Sequence, residues 1–391
     1  MGRFTFAAGN LRKIATLPLY ALGAAAATVT SRREDLWVFG SGTGLGEGAL
    51  ALARHLRAAE PDVRVVWLAR DARDIADARA LGLPVALRSS WRGFRLTLRA
   101  RVAVVTHGFG DVNRFGLRGA FVVNLWHGIP FKRIRMDSPE AMRLPVLGRL
   151  PGATALVRRM YGRSGRGIAL FATASELSAA RIRTAFALDA RRAVVTGDPR
   201  DDVLCALEPA ARERAARERV AAATGDARML NARLVLFAPT WRDGRAQPGV
   251  PGEQDWRAID RVLADAGAML LVRSHPLGHG DFTAGPALSD RVTLLGPELI
   301  ADVTPVLPAI DTLVTDYSSI AYDFALVGGP VLFLAPDAAD YARRRGVYEP
   351  YRVLTGGEEA TSWPALLPRL AAALAPGEPR EAMCQLHAVA T

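Results

Sequence analysis

Two histidines, each beside a turn residue, stand in opposite halves of this 391-residue chain. His127 lies in Asn124-Leu-Trp-His-Gly-Ile-Pro-Phe-Lys132, at the end of an apolar run and just before Gly128. His275 lies in Arg273-Ser-His-Pro276, also after an apolar run. An imidazole exchanges a proton near neutral pH, so both are candidates for acid–base work. A third stretch, Thr315-Asp-Tyr-Ser-Ser-Ile-Ala-Tyr-Asp323, puts small polar residues where a strand pattern gives way to a helical one. Helix starts bind phosphate through backbone amides and the helix dipole, and Ser318 and Ser319 add hydroxyl donors. Lys132 can hold a phosphate as a point charge, with Arg133 beside it. Arg273 falls on the same side of its strand as His275 and can meet a charged phosphoryl oxygen. This is a kit for moving a phosphate group between two bound molecules.

Each residue also has a plainer role open to it. Either histidine could buttress a turn, and Ser318 and Ser319 could be ordinary N-caps. Asp316 and Asp323 could bind a ribose, cap a helix or hold a divalent ion. No carboxylate cluster marks a metal site, so no cofactor is assigned, and a divalent ion stays an open option. Gly40-Ser-Gly-Thr-Gly-Leu-Gly46 follows a strand pattern and opens a helical one, as a dinucleotide fingerprint does. The glycine spacing is imperfect, and the second strand leads into Arg70 where an acidic residue is needed, so a nicotinamide site is disfavoured. The better reading is close approach of an acceptor or of backbone to the loop.

The elements that must position these groups follow from periodicity. Strands are expected at 36–39, 63–69, 85–87, 101–106, 121–125, 168–172 and 193–196. A second series is expected at 234–237, 269–272, 292–294, 312–314 and 331–334. Helical patterns intervene, beginning with 47–59, and 208–228 reads as a surface helix leading into the second series. Strand–helix alternation predicts parallel α/β sheets.

Charge is uneven along the chain. The net charge is +11, yet residues 88–192 hold 20 Arg/Lys against 5 Asp/Glu, which is +15 in that segment. A polyanionic partner or an anionic membrane surface is expected there, and no nucleic acid. Lys13 and Lys132 are the two lysines among 50 basic residues, which singles out Lys132. Residues 138–168 mix Arg143, Arg149, Arg158, Arg159, Arg163 and Arg166 with apolar residues, and Pro139, Pro145 and Pro151 prevent one long helix. Short basic amphipathic pieces on a membrane and a helical insertion packed on its own domain are both open. The apolar run 17–29 behind Arg3, Arg12 and Lys13 is too short to span a bilayer. It reads as an interfacial helix, a helix packed on the first domain, or a signal peptide. Cys205 and Cys384 lie far apart with no His or Cys near at metal-ligand spacing, which argues against a disulfide framework or zinc site and favours a reducing compartment.

These motifs, taken in order, resemble the CDP-glycerol glycerophosphotransferases of teichoic acid and related capsule synthesis. The residues that carry the resemblance are Trp126-His-Gly-Ile-Pro-Phe-Lys132, Thr196-Gly-Asp-Pro-Arg-Asp-Asp202, Ala238-Pro-Thr-Trp-Arg242, Arg273-Ser-His-Pro276, Thr315-Asp-Tyr-Ser-Ser319 and Tyr341 through Tyr348. The resemblance implies two Rossmann-like doubly wound α/β domains facing a cleft, of the glycosyltransferase-B type. On that reading residues 1–31 are a basic apolar segment and possible membrane anchor. Residues 32–207 form an acceptor- and membrane-binding domain, and 208–391 a nucleotide-donor domain. The family's histidines carry over to His127 and His275 as catalytic residues. Thr240, Arg242, Arg273, Asp316, Ser318, Ser319 and Asp323 fall to the donor, and Gly128, Lys132 and Arg133 to the acceptor or its phosphate. The implied donor is CDP-glycerol or a related CDP-polyol. The acceptor is a lipid-linked or polymeric phosphate-rich molecule at the cytoplasmic face of the cell membrane, and the leaving group is CMP. A nucleotide-sugar glycosyltransferase of the same fold and a catalytically silent membrane adaptor are the alternatives.

Overall fold

The computed structural model describes residues 16–142, 152–242, 245–274 and 280–375. These fall into two compact units. Of these, the first gathers 16–128, 134–142 and 152–203, and the second gathers 129–133, 204–242, 245–274 and 280–375.

In the first unit, α1 (Leu17–Thr28) precedes β1 (Arg33–Phe39), α2 (Glu47–Ala59), β2 (Arg64–Ala69), α3 (Ala72–Ala80), β3 (Val85–Leu87), α4 (Trp91–Arg99) and β4 (Ala100–Val105). Next come β5 (Phe121–Asn124), α5 (Ala153–Arg166), β6 (Leu170–Thr173), α6 (Glu176–Phe186) and β7 (Ala193–Val195). The strands form one parallel sheet in the order β3-β2-β1-β4-β5-β6-β7. The chain winds outward from β1 to one edge, then returns to pair β4 on its other side. In such sheets ligands bind beyond the carboxyl ends of the strands at the point of reversal, here between β1 and β4.

The strands read as apolar runs because helices cover both faces of a parallel sheet. In β2 every residue after Arg64 is buried, with Trp67 fully enclosed beside Phe39. Asp71 caps α3 by accepting from the Asp74 N–H, and Ser175 caps α6 through the Ser178 N–H.

The two basic or apolar accessories both pack and expose. Helix α1 seats Tyr20 edge-on against Phe115, and Gly23 lies so close to the Phe115 carbonyl that a Cβ would overlap it. Leu17, Leu19 and Leu22 on the same helix face solvent. Helix α5 buries Val157 and Tyr161 against Ala141 and Met142. It turns Leu156, Arg158, Arg159, Arg163 and Arg166 outward. Residues 143–151 of the basic stretch lie outside the described residues. No helix among the described residues is long and apolar enough to cross a membrane.

The second unit repeats the plan. Helix α7 (Pro209–Thr224) leads into β8 (Arg233–Ala238), α8 (Glu253–Ala266), β9 (Ala268–Val272), β10 (Val292–Leu294), β11 (Thr312–Thr315), α9 (Ile320–Ala325), β12 (Val331–Phe333), α10 (Ala338–Arg345) and α11 (Trp363–Ala373). Its parallel sheet runs β10-β9-β8-β11-β12, so the strand order reverses between β8 and β11. Trp256, Phe237, Phe282 and Trp363 form its core with the aliphatic residues of β8 and β9. A short ladder ties 131–133 into this unit. Lys132 bridges Val347, the Arg133 N–H donates to the Gly346 carbonyl, and the Tyr348 N–H donates to the Phe131 carbonyl.

Candidate active site

In the first unit the carboxyl ends of β1, β4 and β5 carry the polar residues. Beyond β4, Thr106-His-Gly108 is locked by one buried carboxylate. Asp111 Oδ2 accepts from the backbone N–H groups of Thr106, His107 and Gly108 at 2.9, 2.7 and 3.1 Å. Burial pushes this carboxyl up, against the downward pull of His107 and those three donors. Beyond β5, Asn124 Oδ1 accepts from the Trp126 N–H at 2.8 Å and turns the chain sharply. Trp126 takes the left-handed region at φ 61°, and Gly128 follows at φ 118°. Such strain in a bulky residue clusters at functional sites. Trp126 is held there by ring contacts with Phe171 and Phe186.

These two turns bring His107 and His127 face to face. Their ring centroids are 4.0 Å apart and the planes differ by 5°. His127 Nδ1 lies 3.5 Å from the Thr106 carbonyl. A proton on Nδ1 leaves Nε2 as the accepting nitrogen, the form a general base needs. His107 Nδ1 lies 2.9 Å from Thr106 Oγ1, which donates to Ser41 Oγ at 3.0 Å, which donates to Glu47 Oε2 at 2.7 Å. Glu47 Oε2 is itself 3.7 Å from His107 Nδ1.

The glycine loop explains itself here. A Cβ at Gly40 would overlap the Asp111 carbonyl, and one at Gly42 would come within 2.7 Å of the His107 ring. Arg70 donates to the Thr43 carbonyl at 2.9 Å, so a cation braces the loop at the end of β2. The loop serves a close approach, as its sequence implied, and that approach is by the protein's own residues.

In the second unit the corresponding position between β8 and β11 is closed by Asp316. Its Oδ1 accepts from the Thr240 and Tyr317 N–H groups at 2.7 and 2.6 Å, and its Oδ2 accepts from Arg242 at 3.0 Å. Arg242 also makes a two-pronged bond to Asp337 at 2.8 and 2.9 Å. The guanidinium carbon lies 4.9 Å from the rings of both Tyr317 and Tyr341. Burial opposes the charge on Arg242, yet Asp337 and Asp316 together hold its pKa above the ordinary value. Removing such an arginine would strand a charged, buried carboxylate, at a cost of about 3–5 kcal/mol. Arg242 is therefore a structural support at this edge of the sheet, with most of its N–H groups spent on protein.

Lys132 enters the same cluster. Burial pushes its ammonium down to about 7, and Arg345 and Arg242 add to the fall while Asp316 opposes it. Arg133 donates to the Val347 carbonyl, pinning the ladder at 3.2 Å. The Thr240 hydroxyl is buried without a hydrogen-bond partner among the described residues. Ser319 is the N-cap residue of α9, the Ile320 N–H reaches Ser318 Oγ at 3.4 Å, and Asp323 is buried within that helix. Arg273 donates to the carbonyls of Leu295, Ile300 and Ala301, which fastens the loop after β10. His275 lies outside the described residues. Among the described residues no group of His, Cys, Asp or Glu could hold a metal ion.

Thr240, Arg242, Asp316 and Lys132 are thus brought together in one unit. His127 and Gly128 belong to the other, and the Trp-His-Gly-to-lysine motif is divided between them. His107, Ser41 and Glu47 escaped the sequence reading. A signal was present: Thr106-His-Gly108 repeats the arrangement of an apolar strand followed by His-Gly that flagged His127.

Two Rossmann-like parallel α/β units define a fold of the glycosyltransferase-B type. A family model described as CDP-Glycerol:Poly(glycerophosphate) glycerophosphotransferase matches residues 25–384, and the chain belongs to that family. It is 28% identical over 190 residues to the teichoic acid ribitol-phosphate polymerase TarL of Staphylococcus aureus, covering 48% of this chain and 32% of that protein. It is 26% identical over 259 residues to the teichoic acid glycerol-phosphate transferase of the same organism, covering 63% and 60%. The chain therefore spans less than two thirds of the length of these relatives. A solved structure of the wall teichoic acid polymerase TagF superposes with a TM-score of 0.66 at 21% identity, covering 93% of this chain and 87% of that one, which shows the shared fold.

The lowered Lys132 pKa has a consequence for stability. Below about pH 7 the lysine is charged in both folded and unfolded chains, and the buried charge costs its full penalty. Between about 7 and the ordinary 10.5 the unfolded chain holds the proton and the folded one does not, so the penalty fades as pH rises. Lys132→Met should therefore raise the melting temperature more at about pH 6 than at about pH 10. Thermal melts showing equal shifts at both would contradict the burial of this charge.

Proposed function

We propose that this chain transfers glycerol phosphate, or a similar polyol phosphate, from a CDP-activated donor to a hydroxyl of a membrane-associated acceptor, releasing CMP. The observation that carries the reading is His127, held at a strand's carboxyl end with Nδ1 toward a carbonyl, in a chain whose family is a glycerophosphotransferase family. His127 takes the proton from the acceptor hydroxyl. The freed oxygen forms a bond to the donor's β-phosphorus, and the bond from that phosphorus to the bridging oxygen breaks, so CMP leaves with the electron pair. Lys132, His275 and the amides near Ser318 and Ser319 offset charge on the phosphoryl oxygens, Arg273 holds the loop after β10, and the buried Thr240 hydroxyl and Asp316 shape the donor region. The relatives' names, one ribitol-phosphate polymerase and one glycerol-phosphate transferase, support a CDP-polyol donor, and CDP-glycerol is the first to test. Positioned general bases contribute about 10²–10⁴-fold to turnover. His127→Ala should lower CMP release from CDP-glycerol or CDP-ribitol by a factor in that range while the chain stays folded and binds the donor. A folded variant with near-normal release would sink the assignment.

The same reading puts the protein on the cytoplasmic face of a membrane. Supporting it are the outward leucines of α1 and the exposed arginines of α5 within a segment of charge +15. A hydrophobic element combined with a basic patch holds a protein where either alone is marginal. Each arginine near an anionic surface contributes about 1 kcal/mol, and salt screens it. Binding to phosphatidylglycerol-containing vesicles should fall as salt rises and weaken when Arg158, Arg159 and Arg163 become Gln. Equal co-sedimentation with neutral and anionic vesicles at every salt concentration would remove the basic face from the account.

A further inference from the structure

We infer that His107 is a positioning residue for the reaction, a ring platform that fixes His127 in the orientation its proton transfer needs. The inference rests on the reading of His127 as the base. Three features of the geometry carry it. The two imidazoles stack at 4.0 Å and within 5° of parallel, so the His107 ring limits how His127 can rotate. His107 is itself fixed more firmly than a surface histidine would be. Its backbone N–H goes to buried Asp111, and its ring nitrogen starts a one-directional chain through Thr106 and Ser41 to Glu47. The third feature is Gly42, which leaves room for the ring where any side chain would displace it.

One residue serves both histidines. Thr106 receives His107 through its hydroxyl and His127 through its carbonyl. Each hydroxyl in the chain donates toward the carboxylate, so His107 keeps its proton on Nδ1 in the neutral ring. When His127 takes a proton, the resulting imidazolium lies against the face of that ring, an arrangement a cation favours. The Glu47 carboxylate, 3.7 Å from His107, adds a compensating charge. The base is thus held, oriented and supported in its charged form by residues that need not touch the substrate.

The test is a mutant cycle on the full chain, with CDP-glycerol and a short-chain lipid-linked glycerol phosphate as acceptor. His107→Ala should lower the single-turnover rate of CMP formation about 10–100-fold while the calorimetric donor Kd stays within about twofold. His107→Phe, which keeps a flat ring in place, should recover most of the loss. Gly42→Ala, which pushes the ring away with both histidines intact, should resemble His107→Ala. In a His127→Ala background, His107→Ala should cost almost nothing more, because it acts through His127. In parallel, with histidine-selective labelling, the His127 Cε1–H resonance should move downfield in His107→Ala as the ring current is lost. Wild-type rates in folded His107→Ala, a Phe variant as poor as Ala, or fully additive losses in the double variant would each overturn the inference. Normal turnover in His127→Ala would instead overturn the assignment of the base, and this inference with it.

Discussion

A buried aspartate stands where each sheet reverses its strand order, and the polar architecture of this chain hangs on those two carboxylates. Where a parallel strand ends beside a crossover, its neighbours' backbone N–H groups lose their ladder partners and still require acceptors. Asp111 accepts from three consecutive amides beyond β4, and Asp316 accepts from two amides beyond β8 and β11. Each carboxylate does more than satisfy donors. Asp111 sets the turn that presents His107, and Asp316 draws Arg242 and the charge of Lys132 into one cluster. The same topological constraint thus produces a histidine-bearing edge in one unit and a cation-rich edge in the other.

Much of this was legible in the residues. Apolar runs marked the strands to within a residue or two at most ends, because parallel strands buried on both faces carry little else. The helix over 47–59 followed from its place after the strand and the glycine loop, and the strand-end position of His127 from the apolar run before it. What escaped was long-range. The stack of His107 on His127 exists only because β4 lies between β1 and β5, which periodicity does not report. Lys132 belongs to the second unit through a ladder with residues more than two hundred positions away, and no local signal announces that pairing. The glycine loop announced a close approach but not its partner. The space it opens is filled by a carbonyl and a histidine ring from after β4.

The arginine excess has two faces. Arg32, Arg70, Arg135 and Arg242 are structural, spending their N–H groups on carbonyls, hydroxyls and carboxylates inside their own units. Guanidinium suits this work because it presents several donors in one plane and stays charged. Arg158, Arg159, Arg163 and Arg166 on α5 instead face solvent. Charge totals alone cannot separate the two populations; burial and bonding do.

The central claim is displacement at phosphorus, with His127 as the base that frees the attacking oxygen. It is tested most directly by identifying which bond of the donor breaks. ³¹P NMR of a CDP-glycerol turnover in ¹⁸O-labelled acceptor should show CMP as the nucleotide product and the label in a new phosphodiester. Accumulation of CDP, with the acceptor joined to the glycerol carbon and its phosphate left on the nucleotide, would contradict the account.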